Sequence, residues 1–389
     1  MEKRTFMNFH FIMALTGFFF LVLAMTLFVF FPVFFENVTT SKSRIGVIMG
    51  IHSLMAILVR PWFGKMIDLR GRKKMALFGM AILILVVPGF HLIRNAGLYP
   101  MVLRALTGIG WGIAATASIT ICLDLMPERR LAKSLGIVGA SSLICSAIGP
   151  ILGEEIVHHW GFGALFNVSL IFFVLAFICV SVTKEAVYPR MNEASSMGKM
   201  KGKPFLRSMI PLTVLLMMHG AVRGAVVNFI ALFSRSVPLD RAGPFFLSYS
   251  TAAIATRLLL GDLSDRIGRK KVIFPALAVV SLNLVMISQI RSVEMLILTG
   301  FVAGFGQGMI FPALCAYVVD FIGRARQGLA IAIYLTLFDC GMGLGSAFFG
   351  WISDLAGYRM MYILSSLLFI TAGLFFSWKS GAGRTLQDV

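Results

Sequence analysis

Gly64-Lys65-Met66-Ile67-Asp68-Leu69-Arg70-Gly71-Arg72-Lys73-Lys74 returns 197 residues later as Gly261-Asp262-Leu263-Ser264-Asp265-Arg266-Ile267-Gly268-Arg269-Lys270-Lys271. Both copies keep the glycines, the aspartate and the basic run at the same spacing. An arginine stands four residues ahead of each copy, Arg60 and Arg257. The register continues on both sides. Gly108, Gly110 and Gly112 correspond to Gly304, Gly306 and Gly308 at an offset of 196, and so do Asp124 and Asp320, Gly149 and Gly345, Gly161 and Gly357. A register held this long implies two related halves.

The segments around these loops decide the class. Hydrophobic residues make up 58% of the chain and charged residues 13%, against about a quarter charged in soluble domains. The apolar residues come in blocks of about 20, enough to cross a bilayer as a helix. Barrel strands would be alternating segments of about ten residues. The sequence therefore predicts an all-α integral membrane protein. Its spans fall at about 9–35, 45–66, 75–93, 98–123, 132–157, 162–183, 208–233, 243–261, 272–290, 295–319, 328–350 and 359–378. The basic start followed by an apolar run resembles a signal peptide. The run is too long for one and has no small-residue cleavage site, so it reads as an uncleaved first span.

The net charge is +18. On a soluble protein that would point to nucleic acid, but here it follows from loop bias. With both termini in the cytoplasm, the inner loops carry 24 Lys and Arg and the outer loops 7. That split predicts an N-in, C-in topology. The expected organisation is a six-helix bundle over 1–184, a polar cytoplasmic linker over 185–207, and a second bundle over 208–389. The cysteines Cys122, Cys145, Cys179, Cys315 and Cys340 lie in or beside apolar spans without CxxC spacing. They predict packing roles rather than disulfides or zinc.

The duplicated G-x-x-x-D-x-x-G-R-[RK]-[RK] loop and the matched halves resemble the major facilitator superfamily over nearly the whole chain. In style the chain is closest to the twelve-helix bacterial efflux and antiporter branch. The resemblance implies two pseudo-symmetric six-helix bundles with a solute site near the midplane. It also implies a latch on the outward-open state, built in the first half from Gly64, Asp68, Gly71, Arg72 and Asp124. Gly261, Asp265, Gly268, Arg269 and Asp320 would form its twin. The alternative is that these charges only anchor topology. Gly149, Pro150 and Gly153 in the fifth span resemble the family's antiporter signature, with Cys145 and Glu154 in place of its usual glycines. These residues are expected to kink the helix and let the bundles approach.

Five further residues are candidates for substrate binding or coupling. Arg104 lies within the fourth span, where a charge is costly and rarely faces lipid; it reads either as a cavity residue or as a packing arginine bonded to carbonyls. His219 and Arg223 share one face of the seventh span. Gln307, in the tenth, could bond a substrate or another helix. Asp339 lies about eleven residues into the eleventh span, roughly 16 Å along a helix. It reads as a proton carrier or as a static partner of Arg223 or Arg104. Glu154, Glu155, His158 and His159 read as a solvated helix end rather than a metal site.

The first span has no acid before Glu36, so the cavity is expected to be neutral to positive. That favours a neutral or anionic amphipathic solute over a cationic one. No nucleophile constellation, phosphate loop or metal motif points to an enzyme, and no cofactor is expected. The predicted function is a proton-coupled exporter, working as a monomer in the bacterial inner membrane. The alternatives are an importer of an organic anion, such as a carboxylate or sugar acid, and a non-transporting receptor or scaffold.

Overall fold

The computed structural model describes residues 9–125, 131–184, 203–237, 239, 241–261, 263–323 and 327–381. These residues are predominantly helical, and none is in a strand. The chain divides into two compact units, Met1–Pro189 and Arg190–Val389.

In the first unit, α1 (Phe9–Leu27) runs through a 3₁₀ turn, Phe28–Phe30, into α2 (Phe31–Glu36). There follow α3 (Lys42–Arg70), α4 (Arg72–Val86), α5 (Leu98–Asp124) and α6 (Leu131–Ser181). The second unit holds α7 (Lys203–Ser236), α8 (Gly243–Leu260), the short α9 (Leu263–Ile267), α10 (Arg269–Ser288), α11 (Val293–Ile322) and α12 (Gln327–Gly381). Serines start two of these helices. Ser41 Oγ accepts from the Arg44 amide, and Ser292 Oγ from the Met295 amide, each at 3.3 Å. Each bond satisfies a donor that the first turn would leave unpaired.

Nine helical stretches among the described residues are long and apolar enough to cross a membrane. Two of them, Gly136–Ser181 and Leu329–Lys379, are about twice the length of a single span. Each contains one break, at Gly161 (φ 75°, ψ 179°) and Gly357 (φ 78°, ψ 169°). α8, at 18 residues, is not among the nine.

The repeat is visible in the backbone. Gly71 and Gly268, from the duplicated loop, adopt φ of 99° and 101°. Gly161 and Gly357 form a second matched pair of positive-φ positions. Only glycine takes this conformation without a steric penalty.

Glycine also sets how closely neighbouring helices lie within each unit. A Cβ on Gly108 of α5 would strike the carbonyl of His52 in α3, and one on Gly304 of α11 that of Tyr249 in α8. Gly149 of α6 lies against Thr26 of α1, and Gly153 lies 3.2 Å from the Leu27 carbonyl by the same measure. α6 continues as helix through Pro150. The first-unit contacts of these two glycines are therefore with α1. In the second unit, Gly341 and Gly345 of α12 press on Met217 and Ala221 of α7, and Gly220 of α7 presses on Phe338.

Gly341→Val pushes a branched side chain into the Met217 backbone, an overpacking that costs about 1–3 kcal/mol. Purified in detergent, this variant should melt several degrees lower or run as aggregate on size exclusion. Gly139→Ala, where a Cβ meets nothing within 4 Å, should match the parent protein.

Candidate functional site

The second unit gathers four of the five candidate binding residues onto three helices. His219 and Arg223 lie one turn apart on α7, Gln307 is on α11 and Asp339 on α12. His219 is 1% exposed. Its Nε2 donates to Gln307 Oε1 at 2.9 Å, and Tyr334 of α12 donates its hydroxyl to Nδ1 at 3.5 Å. With Gln307 as acceptor, the proton belongs on Nε2 and Nδ1 is free to accept. The Phe338 ring meets the imidazole edge-on at 5.0 Å between centroids, and Phe369 stacks on it at 6.2 Å. Both polar ends of the imidazole are thus satisfied from neighbouring helices. Asn228, two turns along α7, donates to Ser346 of α12 at 2.7 Å.

The arginines take a different solution. The Arg223 guanidinium rests on the Tyr249 ring of α8, 4.4 Å from its centroid. Arg257 of α8 lies 5.5 Å from the Phe311 ring of α11, and its Nε has no hydrogen-bond partner. In the first unit, Arg104 of α5 is 6% exposed and lies 5.5 Å from the Phe31 ring, again with an unpartnered Nε. An aromatic face is negative and attracts a cation without the desolvation cost of a second charge. Beside Arg104, the Thr107 hydroxyl donates to the Arg104 carbonyl at 2.9 Å, and His52 Nδ1 bonds the same hydroxyl at 3.3 Å.

The duplicated loops bring charges together at helix ends. Arg72, the first residue of α4, pairs with Asp124, the last of α5. The Asp68 side chain lies outside the described residues, although its backbone continues α3 beyond Gly64. In the second unit Arg269, at the start of α10, binds two carboxylates. Its Nε donates to Asp320 Oδ2 at 3.0 Å, and its Nη1 donates to Ser264 at 2.8 Å and pairs with Asp265. Gly261 closes α8, and Gly268 turns the chain into α10.

Glu155 and His159 pair at 3.3 Å near the break in α6. Among the described residues, no group of three or more His, Cys, Asp or Glu is placed to hold a metal.

The family model of the Major Facilitator Superfamily matches the chain twice, over residues 13–240 and 212–387. The chain belongs to the Major Facilitator Superfamily. It is 25% identical over 361 residues to the "Staphylopine export protein" of Staphylococcus aureus, covering 88% of each chain. It is also 25% identical over 351 residues to "Multidrug resistance protein MdtG" of Dickeya zeae, covering 86% of this chain and 84% of that protein. Its fold is similar to a bacterial homologue of the human lysosomal transporter Spinster. The TM-score is 0.79 at 13% identity, over 100% of this chain and 99% of that one. The protein is a multi-pass membrane transporter, not an enzyme.

Arg257, Tyr249 and Tyr334 entered the sequence argument only through the repeat, or not at all. The signal for Arg257 was available, since an arginine inside an apolar span is expensive wherever it falls. Tyrosines in such spans carry no comparable warning.

Gln307→Leu should strand the His219 Nε2 proton in an apolar setting and lower stability by about 1–3 kcal/mol. The His219→Leu/Gln307→Leu double variant removes both partners, so its melting temperature should recover part of the loss. A double variant worse than the sum of the singles would contradict the bond as an internal strut.

Proposed function

We propose that this transporter is a proton-driven exporter of a small neutral or anionic amphipathic solute, with twelve spans and both termini in the cytoplasm. Its working cycle is alternating access. The observation that carries the substrate charge is the set of arginines held within the spans. Arg104, Arg223 and Arg257 each rest on an aromatic ring, and Asp339 is the acid that the sequence places deep in a span. A cationic solute entering such surroundings would meet repulsion, while a carboxylate or a polar uncharged group would find donors. The names of the relatives, an export protein and a multidrug resistance protein, support the outward direction.

The count of twelve rests on the two double-length stretches broken at Gly161 and Gly357, together with α8 and the other seven candidates. The 24 to 7 loop split supports the orientation. The boundaries proposed for the two bundles are 1–184 and 208–389, joined by a cytoplasmic linker.

Proton coupling falls to Asp339. His219 already spends both ring nitrogens on Gln307 and Tyr334, which makes it a strut rather than a carrier. Gln307 likewise serves the helix contact. Arg223 and Arg104 are the residues proposed to meet the solute. The pairs Arg72–Asp124 and Arg269–Asp320, each of which ties two helix ends within one unit, are proposed as latches that favour the outward-open state. The working unit is proposed to be the monomer.

In proteoliposomes with an imposed pH gradient, Asp339→Asn should cut uphill solute movement roughly tenfold or more, a loss of about 1.4 kcal/mol or more of coupling. Downhill exchange of the same solute should survive. Uphill transport at the parent rate would remove Asp339 from the coupling role. Arg223→Gln should raise the concentration needed for half-maximal transport of an anionic solute more than that of a neutral one, and equal effects on both would contradict a charge role.

A further inference from the structure

The second unit contains a cavity of about 570 Å³ lined by Arg257, Phe311, Cys315, Ile331, Arg269 and Asp320. That volume suits a metabolite-sized ligand. Its walls are mainly apolar, from Phe311 and Ile331, and its charge is uneven, with two guanidiniums facing one carboxylate. Arg269 is already engaged by Asp320, Asp265 and Ser264. Arg257 is not engaged in this way. Its contact is the Phe311 ring, and its Nε is buried without a hydrogen-bond partner. Arg257 lines the cavity, and a ligand carboxylate is the group that suits it, since a guanidinium offers a planar fork of donors matched to two oxygens.

We propose that this cavity binds a small organic carboxylate with an apolar body, its oxygens on Arg257 and its body against Phe311 and Ile331, and that its occupancy weakens the Arg269–Asp320 pair. The two effects are joined by geometry. Arg269 and Asp320 line the same cavity, so a second carboxylate there competes with Asp320 for Arg269 and repels it. By reciprocity, whatever loosens the pair must tighten the carboxylate, and the carboxylate must loosen the pair by the same factor. The loop that carries Arg269 is cytoplasmic under the orientation proposed above. A carboxylate in the cytosol would then favour opening of the side from which it is loaded.

The binding claim can be tested without any transport assay, so it stands or falls separately from the exporter reading. The probes are 3-phenylpropionate and its uncharged amide, added to the detergent-purified full chain, with thermal stability and Cys315 alkylation followed together. The acid should raise the melting temperature and slow alkylation of Cys315 several-fold, read by peptide mass spectrometry, while the amide should do neither. Arg257→Gln should abolish the acid's effect on melting, and Arg291→Gln, at an exposed position outside the cavity, should retain it. Asp320→Asn, which removes the competing carboxylate, should tighten acid binding several-fold. Equal effects of acid and amide would overturn the proposal. So would stabilisation that survives Arg257→Gln, or a shift lost equally in Arg291→Gln. An affinity unchanged by Asp320→Asn would overturn the link to the latch. If Cys315 proves inert in the free protein, the melting shifts across the three variants decide alone.

Discussion

Everything in this fold depends on how closely two helix backbones can approach without water to drive them together. In a bilayer the hydrophobic effect gives no reason for one apolar helix to prefer another over lipid, so association rests on close packing and a few polar bonds. The glycines supply the closeness. Gly108 against His52, Gly304 against Tyr249, Gly149 against Thr26 and Gly341 against Met217 all place backbone where a methyl group would not fit. Once these helices touch, side chains further along them are delivered to fixed positions. His219 reaches Tyr334 because α7 and α12 are pressed together through Gly220, Gly341 and Gly345.

That closeness creates a second problem, which is how to keep a cation inside. A carboxylate partner would neutralise it but would also need desolvation. The aromatic rings offer attraction of about 0.5–2 kcal/mol while leaving the guanidinium's donors uncommitted. Arg104 and Arg257 retain an unpartnered Nε under this arrangement. At the helix ends, where water is near, the opposite choice is made. Arg72 and Arg269 sit on carboxylates, and such half-exposed pairs are weak enough to break and reform. The deep arginines thus rest on rings, and the terminal ones on carboxylates.

The helical class, the repeat and the loop chemistry were legible in the sequence because each rests on a local signal. Length and apolarity identify spans, and the repeated spacing of glycine, aspartate and basic residues identifies the duplicated loop. The partners of the candidate residues were not legible. His219 and Gln307 are 88 residues apart, and nothing in their own neighbourhoods says that they meet. The Arg223 guanidinium rests on the Tyr249 ring, a contact between rings and cations that no spacing rule encodes. Cys315 read only as a packing residue. Its place on a charged cavity follows from how α8, α10 and α11 come together.

The repeat separates packing from chemistry. At matched positions the halves keep Gly108 and Gly304, Gly112 and Gly308, Gly149 and Gly345, and the hinge glycines Gly161 and Gly357. They differ at several deep polar positions, although the loop charges and Arg60 with Arg257 match. Arg104 corresponds to Gly300, Arg223 to Thr26, Asp339 to Leu143, and Gln307 to Trp111. His52, bonded to Thr107, corresponds to Tyr249, the ring beneath Arg223. Even a packing position can shift partway, since Cys145 stands where the second half has Gly341 and spends its thiol on the Phe19 carbonyl at 3.3 Å. A duplicated scaffold needs the same close contacts in both halves to fold, so those positions resist change. A solute is asymmetric and gains nothing from meeting the same group twice. Divergence is therefore expected in the side chains that face the solute.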